Sequence, residues 1–171
     1  VVTGENVDEN MAAEDGWDGV EHSNLEANAL AKFLEVDIEN LNQTDIGSLE
    51  FALNNTDQTY LVLDEEIAED EFKHKVKESL YCFSPTFLAK HFKIGDCDDS
   101  TDEKIKYIEH IQSIPDEDLT NKLIYNFIID IDVFLNEVEE TDGRGHFLAP
   151  YDFKEHEVEH VGDTYYIYRT N

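Results

Sequence analysis

Apolar positions along the chain recur with two different periods, which separates predicted helices from predicted strands. A helical period of three to four residues runs through 24–34, 64–81, 85–95, 102–112 and 116–140. The longest pattern, 116–140, holds its period for more than five turns, through Leu119, Phe127, Phe134 and Val138. We therefore predict about five helices, with 116–140 as one central, largely buried helix.

Shorter apolar runs flanked by turn residues predict two β-hairpins. Residues 49–53 and 60–63 are β-prone and are separated by Asn54-Asn55-Thr56-Asp57. Residues 155–160 and 165–169 flank Gly162-Asp163, which is typical of a tight hairpin turn. The fold class predicted is α+β, with a small antiparallel sheet of about four strands packed against the helices.

Capping residues set the predicted boundaries. Ser23 is followed three positions later by Glu26, as in a capping box, so the first helix is predicted to start near residue 24. Asp64 and the pair Ser84-Pro85 are predicted to start later helices, and Gly143 to end the long one. Residues 1–23, which hold seven acids and no Lys or Arg, are predicted to form an acidic arm ahead of a single domain at 24–171.

Charge is the most unusual property of the sequence. There are 41 acidic and 12 basic residues, for a formal net charge of −29. Because 40% of the residues are apolar and 11% aromatic, the chain still has enough side chains to form a core, so we expect a folded domain with an acidic surface. Such a surface repels nucleic acid and anionic membranes and attracts cations and basic protein surfaces. Direct nucleic-acid binding is therefore not expected.

The sequence also predicts a cytoplasmic protein. No run approaches the roughly 20 apolar residues of a membrane span, and the first residues do not resemble a signal peptide. Cys82 and Cys97 match no zinc-binding or redox spacing, so reduced thiols are expected, with a single disulfide as the alternative.

The stretch from Asp142 to His160 holds the candidate chemistry. In Asp142-Gly-Arg-Gly-His146 two glycines flank Arg144 in a predicted loop, and a guanidinium suits a carboxylate or phosphate. Arg144, His146, Asp152 and His156 are the candidates for acid–base catalysis; His146, Asp152, His156 and His160 are weak candidates for a metal site. The favoured interpretation is structural, with Arg144 paired to local acids. No cofactor is predicted.

Two acidic segments form the candidate interaction surface. One lies on the predicted helix 64–81 and the other in the predicted loop 96–103, which lacks the glycine of a calcium-binding EF-hand loop. Carboxylates on a rigid face can imitate the charge of duplex DNA, about one negative charge per 1.7 Å of axis. The surface residues are Glu65, Glu66, Glu69, Asp70, Glu71, Asp96, Asp98, Asp99, Asp102 and Glu103.

Several segments resemble a family of uncharacterised phage, prophage and mobile-element proteins. The most specific are the stretch 142–152, Asp-Gly-Arg-Gly-His-Phe-Leu-Ala-Pro-Tyr-Asp, and the later Tyr166-Ile-Tyr-Arg169. Similar segments occur at 28–34, 60–66 and 77–88. No activity is assigned to that family, so the resemblance implies a phage origin and no catalytic residues.

Three functions remain open at this point. The leading hypothesis is a non-enzymatic inhibitor of the DNA-mimic type, whose partner is the basic surface of a host nucleic-acid-binding or defence protein. The second is a small metal-binding protein or hydrolase that uses Arg144, His146, Asp152 and His156. The third is a virion or assembly component.

Overall fold

The chain folds around a five-stranded antiparallel sheet. A computed structural model describes residues 19–94 and 100–171. In space the strands lie in the order β1-β2-β3-β5-β4. They are β1 (Leu41–Gln43), β2 (Glu50–Leu53), β3 (Thr59–Leu63), β4 (Glu155–His160) and β5 (Asp163–Arg169). The predicted α+β class is confirmed, and both predicted hairpins are present; β1 is an additional strand in a stretch where no strand was predicted.

The two hairpins meet where β5 pairs with β3. Tyr60 lies opposite Arg169 and Leu63 opposite Tyr166 in this antiparallel register. The turn between β4 and β5 consists of Val161 and Gly162, one residue earlier than predicted, and both have positive φ (54° and 94°). Positive φ at both turn positions matches the twist of a two-residue hairpin.

Seven α-helices occur in the described part of the chain, and none of them is long and apolar enough to cross a membrane. They are α1 (Gly19–Leu34), α2 (Glu65–Glu78), α3 (Pro85–His91), α4 (Thr101–Gln112), α5 (Glu117–Phe127), α6 (Ile131–Asp142) and α7 (Arg144–Leu148). A 3₁₀ turn, Leu80–Cys82, follows α2, and another, Ile38–Asn40, precedes β1.

Helices cover both faces of the sheet, which explains why four successive residues of β5 are buried. Side chains alternate between the faces of a strand. Tyr165 and Ile167 belong to the core beneath α1, whereas Tyr166 and Tyr168 belong to the larger core with α2–α7. A strand enclosed on both sides reads in the sequence as a continuous apolar run.

One predicted helix start differs from the structure, whereas the starts at Asp64 and at Ser84-Pro85 are confirmed. The carboxylate of Asp64 accepts a hydrogen bond from the amide of Ile67, so Asp64 caps α2 as predicted. The first helix begins at Gly19, so Ser23 lies within it and is not its cap. Ser84 precedes α3, but its hydroxyl makes no capping hydrogen bond, and α3 ends at His91.

The predicted helix at 116–140 is wrong as a single element. The chain leaves the helix after Phe127, and Ile128 forms a β-bridge with Phe92. The carboxylate of Asp130 then caps α6 by accepting from the amides of Asp132 and Val133. Both helices bury their apolar sides in the same core, so the apolar period of the sequence continues across the break.

The predicted loop after Gly143 is also wrong. Gly143 does end α6, with φ of 75°, but the next five residues form the short helix α7. A Cβ atom on Gly145 would lie 2.7 Å from the carbonyl oxygen of Phe153 and 2.9 Å from the amide nitrogen of Glu155. Gly145 therefore lets the start of β4 pack directly on α7.

Candidate functional site

Arg144 is held by carboxylates from two distant parts of the chain. Its Nε and Nη2 donate to the two carboxylate oxygens of Glu155, over 2.9 and 3.1 Å, and Nη1 donates to Glu65 over 2.9 Å. The guanidinium lies over the ring of Tyr166, 4.4 Å from its centroid. We call Arg144, Glu65, Glu155, Tyr166 and Tyr168 the Arg144 clasp. Paired, forked hydrogen bonds of this kind are among the strongest a carboxylate makes.

The tyrosines of the clasp complete its hydrogen bonding. Tyr168 is fully buried, and its hydroxyl donates to Glu155 over 2.6 Å. Burial, followed by that hydrogen bond, raises the pKa of Tyr168 well above its usual value. The pKa of Glu65 is lowered, first by a hydrogen bond from Tyr166 and then by the contact with Arg144.

The guanidinium of Arg144, which was a candidate anion site in the sequence, is already bound by the carboxylates of the clasp. Arg144 is only 8% exposed, and burial acts against its charge. Burial is the largest single influence, but the hydrogen bonds and charges of Glu155, Glu65 and Tyr168 together exceed it and raise the pKa of the guanidinium above its usual value. An Arg with this environment joins α2, α7 and β4, which supports the structural interpretation of the residue.

The other predicted catalytic residues are not gathered around Arg144. His156 packs against Phe33 of α1, with ring centroids 4.9 Å apart, on the face of the sheet away from Arg144. Its neighbour Glu155 faces the clasp, because adjacent strand residues point to opposite faces. His146 is exposed on α7 and stacks on Phe153 at 5.5 Å.

The remaining metal candidates have separate surroundings too. The carboxylate of Asp152 accepts from the amide of Lys154 over 3.1 Å, which forms a local turn. His160 lies at the end of β4, with its ring 6.5 Å from that of Tyr165. Among the residues that the structure describes, no three His, Cys, Asp or Glu side chains are placed to hold a metal ion together.

The predicted acidic surface is divided among several roles. Glu65 belongs to the clasp, and Glu69 forms an ion pair of 2.5 Å with Lys73. Glu103 forms a capping box with Ser100 at the start of α4, in a segment predicted to be a loop. Asp102 is exposed in the first turn of α4, and Glu71 is half-buried on α2. Asp96, Asp98 and Asp99 lie outside the described residues.

Two predicted surface acids stay fully available. Glu66 and Asp70 are exposed on the outward side of α2 and form no ion pair with another described residue. The opposite side of α2 is anchored in the core by Ala68, Phe72 and Val76. The backbone positions of these two carboxylates are therefore fixed, and neither forms a direct ion pair, although the charge of Asp70 acts on the nearby Lys73.

A cavity of about 550 Å³ was not predicted from the sequence. It lies between the C-terminal turns of α2 and α6, the 3₁₀ turn Leu80–Cys82, the start of α3, and α7. Its lining consists of Lys75, Ser79, Cys82, Phe83, Ser84, Phe87, Thr141, Asp142, His146 and Phe147. Among the predicted site residues that the structure describes, only His146 contributes to it.

Comparisons of the chain with models of protein families, with curated proteins and with solved structures found no match.

Proposed function

We propose that this protein is a phage-encoded accessory protein that acts by binding in the cytoplasm of a host bacterium. Its partner is the basic surface of a host nucleic-acid-binding or defence protein, which it inhibits by presenting a DNA-like array of carboxylates. The observation that supports this proposal most is the outward side of α2, where Glu66 and Asp70 are exposed and form no direct ion pair with a described residue.

Rigid placement matters for this kind of mimicry. Residues four apart on a helix are separated by about 6 Å along its axis and lie on one side. The core contacts of α2 hold Glu66 and Asp70 in that arrangement before any partner binds. A preformed array loses less conformational freedom on binding than a flexible acidic segment.

The long-range electrostatic field of the protein also favours binding to a basic partner. A net charge of −29 on 171 residues accelerates encounter with a basic protein and makes association depend strongly on salt. The alternative of a hydrolase or metal protein has less support, because Arg144 is bonded to Glu155 and Glu65 and because the sheet separates His146 from His156.

The test is competition with DNA. The protein is titrated into complexes between a fluorescent duplex and each of a set of host nucleases and DNA-binding regulators, and displacement is followed by anisotropy. We expect at least one complex to be displaced at low salt, with about a tenfold or greater loss of affinity when the salt concentration is raised fourfold. Absence of displacement from every complex at low salt contradicts the proposal.

Matched variants locate the surface. The double variant Glu66→Gln/Asp70→Asn removes two charges from α2, and Glu39→Gln/Asp45→Asn removes two exposed charges near β1 at the far edge of the sheet. We expect the α2 variant to weaken competition about tenfold and the β1 variant to weaken it by less than about threefold. Equal losses would mean that net charge alone, and not the α2 surface, determines binding.

A further inference from the structure

The cavity beside α7 has the composition of a site for a small organic ligand. Phe83 stacks nearly parallel to Phe87, with centroids 5.8 Å apart, and to Phe147, with centroids 6.2 Å apart. All three rings line the cavity together with the Cys82 thiol and the Asp142 carboxylate. A volume of about 550 Å³ lies in the range of small-molecule sites. The three phenylalanine rings supply an apolar wall, and the remaining lining residues are mainly polar.

The walls of this cavity are fixed by hydrogen bonds from outside it. The side-chain amide of Gln112 donates to the carbonyl oxygens of Tyr81 and Phe83, over 3.1 and 2.8 Å. Asn121 accepts from the amide of Tyr81 over 2.8 Å and donates to the carbonyl oxygen of Glu78. The segment from α2 to α3 is therefore held in one conformation, and the site is preformed.

Electrostatics select the sign of the ligand. Thr141 and Asp142 are the last residues of α6, and Ser79 is the C-cap of α2, so the negative ends of two helix dipoles lie at the cavity. Asp142 adds a carboxylate. Lys75 and the positive N-terminal end of the short helix α3 at Ser84 oppose this potential. The Nζ of Lys75 lies 3.4 Å from a carboxylate oxygen of Glu78, which partly offsets its charge.

We infer that the cavity between α2, α3, α6 and α7 binds a small organic cation with an aromatic or bulky apolar body. Phe83 and Phe147 attract the cation through their rings, and Asp142 supplies the counter-charge. Phe87 supplies mainly apolar surface, because the Nζ of Lys90 already lies over its ring, 5.2 Å from the centroid. The strongly negative field of the whole protein raises the local concentration of such ligands and lowers that of anions.

A charge series of similar ligands tests the inference. Benzyltrimethylammonium, benzyl alcohol and benzenesulfonate are titrated into the full chain, and binding is measured by calorimetry. We expect the cation to bind about tenfold more tightly than the alcohol, and the sulfonate not to bind measurably. Equal or tighter binding of the neutral or anionic compound overturns the inference.

The reactivity of Cys82, which lines the cavity, reports whether the cation binds there. Alkylation of Cys82 by iodoacetamide is followed on its peptide by mass spectrometry, with and without a saturating concentration of benzyltrimethylammonium. We expect the cation to slow alkylation at least about fivefold, in proportion to occupancy. An unchanged rate at saturation places the cation elsewhere and overturns the assignment.

Matched variants separate the local carboxylate from the general field. Asp142→Asn and Asp132→Asn each remove one exposed charge from α6, at its cavity end and at its other end. We expect Asp142→Asn to lower the affinity for the cation about fivefold and to leave the affinity for benzyl alcohol unchanged, while Asp132→Asn alters neither by more than about twofold. Equal effects of the two variants on the cation contradict a specific role for Asp142.

Discussion

Glu65 and Glu66 are neighbours in sequence, yet they belong to two regions in which carboxylates have different surroundings. The Glu65 carboxylate accepts a hydrogen bond from Arg144 in the Arg144 clasp, where a guanidinium, two carboxylates and two tyrosines satisfy one another. Glu66, together with Asp70, is exposed and forms no ion pair with a described residue. The difference shows that the partner, not the residue type, decides whether an acid in this protein stabilises the fold or opposes it.

The largest expected effect is the loss of the arginine itself. Arg144→Met leaves the Glu155 carboxylate partly buried without a cation, so we expect the free energy of unfolding to fall by about 3–5 kcal/mol. Denaturant unfolding followed by circular dichroism measures it. The control is Arg169→Met, because Arg169 is half-buried and stacks on exposed Tyr151, where a loss of about 1 kcal/mol or less is expected. Similar losses in both variants would refute the special role of the clasp.

Gly145 tests how closely α7 has to approach β4. In Gly145→Ala the new Cβ would lie 2.7 Å from the carbonyl oxygen of Phe153, so the start of β4 must move away from Arg144. We expect a loss of about 1–3 kcal/mol. In Gly143→Ala, no atom lies within 4 Å of the new Cβ, but φ is 75°, so a loss of about 1 kcal/mol from strain is expected. A smaller loss at 145 than at 143 would contradict the close-approach argument.

Alkaline pH should weaken the clasp through Tyr168. The pKa of this phenol is raised in the folded protein, so its contribution to stability is complete below the unfolded value near 10 and is lost as pH rises above it. We expect the unfolding free energy to fall by up to about 1.4 kcal/mol per pH unit from this group. Unfolding at several pH values between 9 and 11 measures the slope, and Tyr168→Phe should reduce it. An identical slope in the variant would exclude Tyr168 as its source.

The smallest effect is expected on the outward side of α2. Like charges four residues apart repel each other by a few tenths of a kcal/mol, but Glu66 in the first turn of α2 gains about as much from the helix dipole, and Asp70 is attracted by Lys73. We therefore expect Glu66→Gln/Asp70→Asn to change the free energy of unfolding by less than about 0.5 kcal/mol at low salt, and by less still at high salt, where all three effects are screened. Melting temperatures at two salt concentrations measure the change; a change above about 1 kcal/mol that persists at high salt would point to a cause other than charge.

Local signals in the sequence were sufficient for the elements that depend on local chemistry. The two hairpins follow from alternating residues and turn residues, and the cap at Asp64 from an acid placed before an apolar period. The break after Phe127 was not visible, because α5 and α6 bury their apolar sides in one core and preserve the period across it. Glycines on both sides of Arg144 suggested a loop, although Gly145 serves close packing within α7.

The clasp itself lay beyond what the sequence could specify. That Arg144 would find a carboxylate was expected in a chain with 41 acids, but Glu155 and Glu65 are 11 and 79 positions away. Only the pairing of β5 with β3 and β4 brings them to one place. The separation of His146 from His156 has the same origin. Glu155 points to the face of β4 that carries α7 and His146, so His156, the next residue, points to the opposite face.

The central position of β5 has a consequence for the order of folding. This strand is formed by residues 163–169, yet it pairs on one side with β3, about 100 positions earlier, and on the other with β4. Contacts between such distant segments form late, because a long loop has to close first. On a ribosome, α1 and the first hairpin would leave the exit tunnel long before the strand that covers their apolar surfaces is made. The acidic surface then has an additional value, because mutual repulsion keeps incomplete chains apart until β5 arrives.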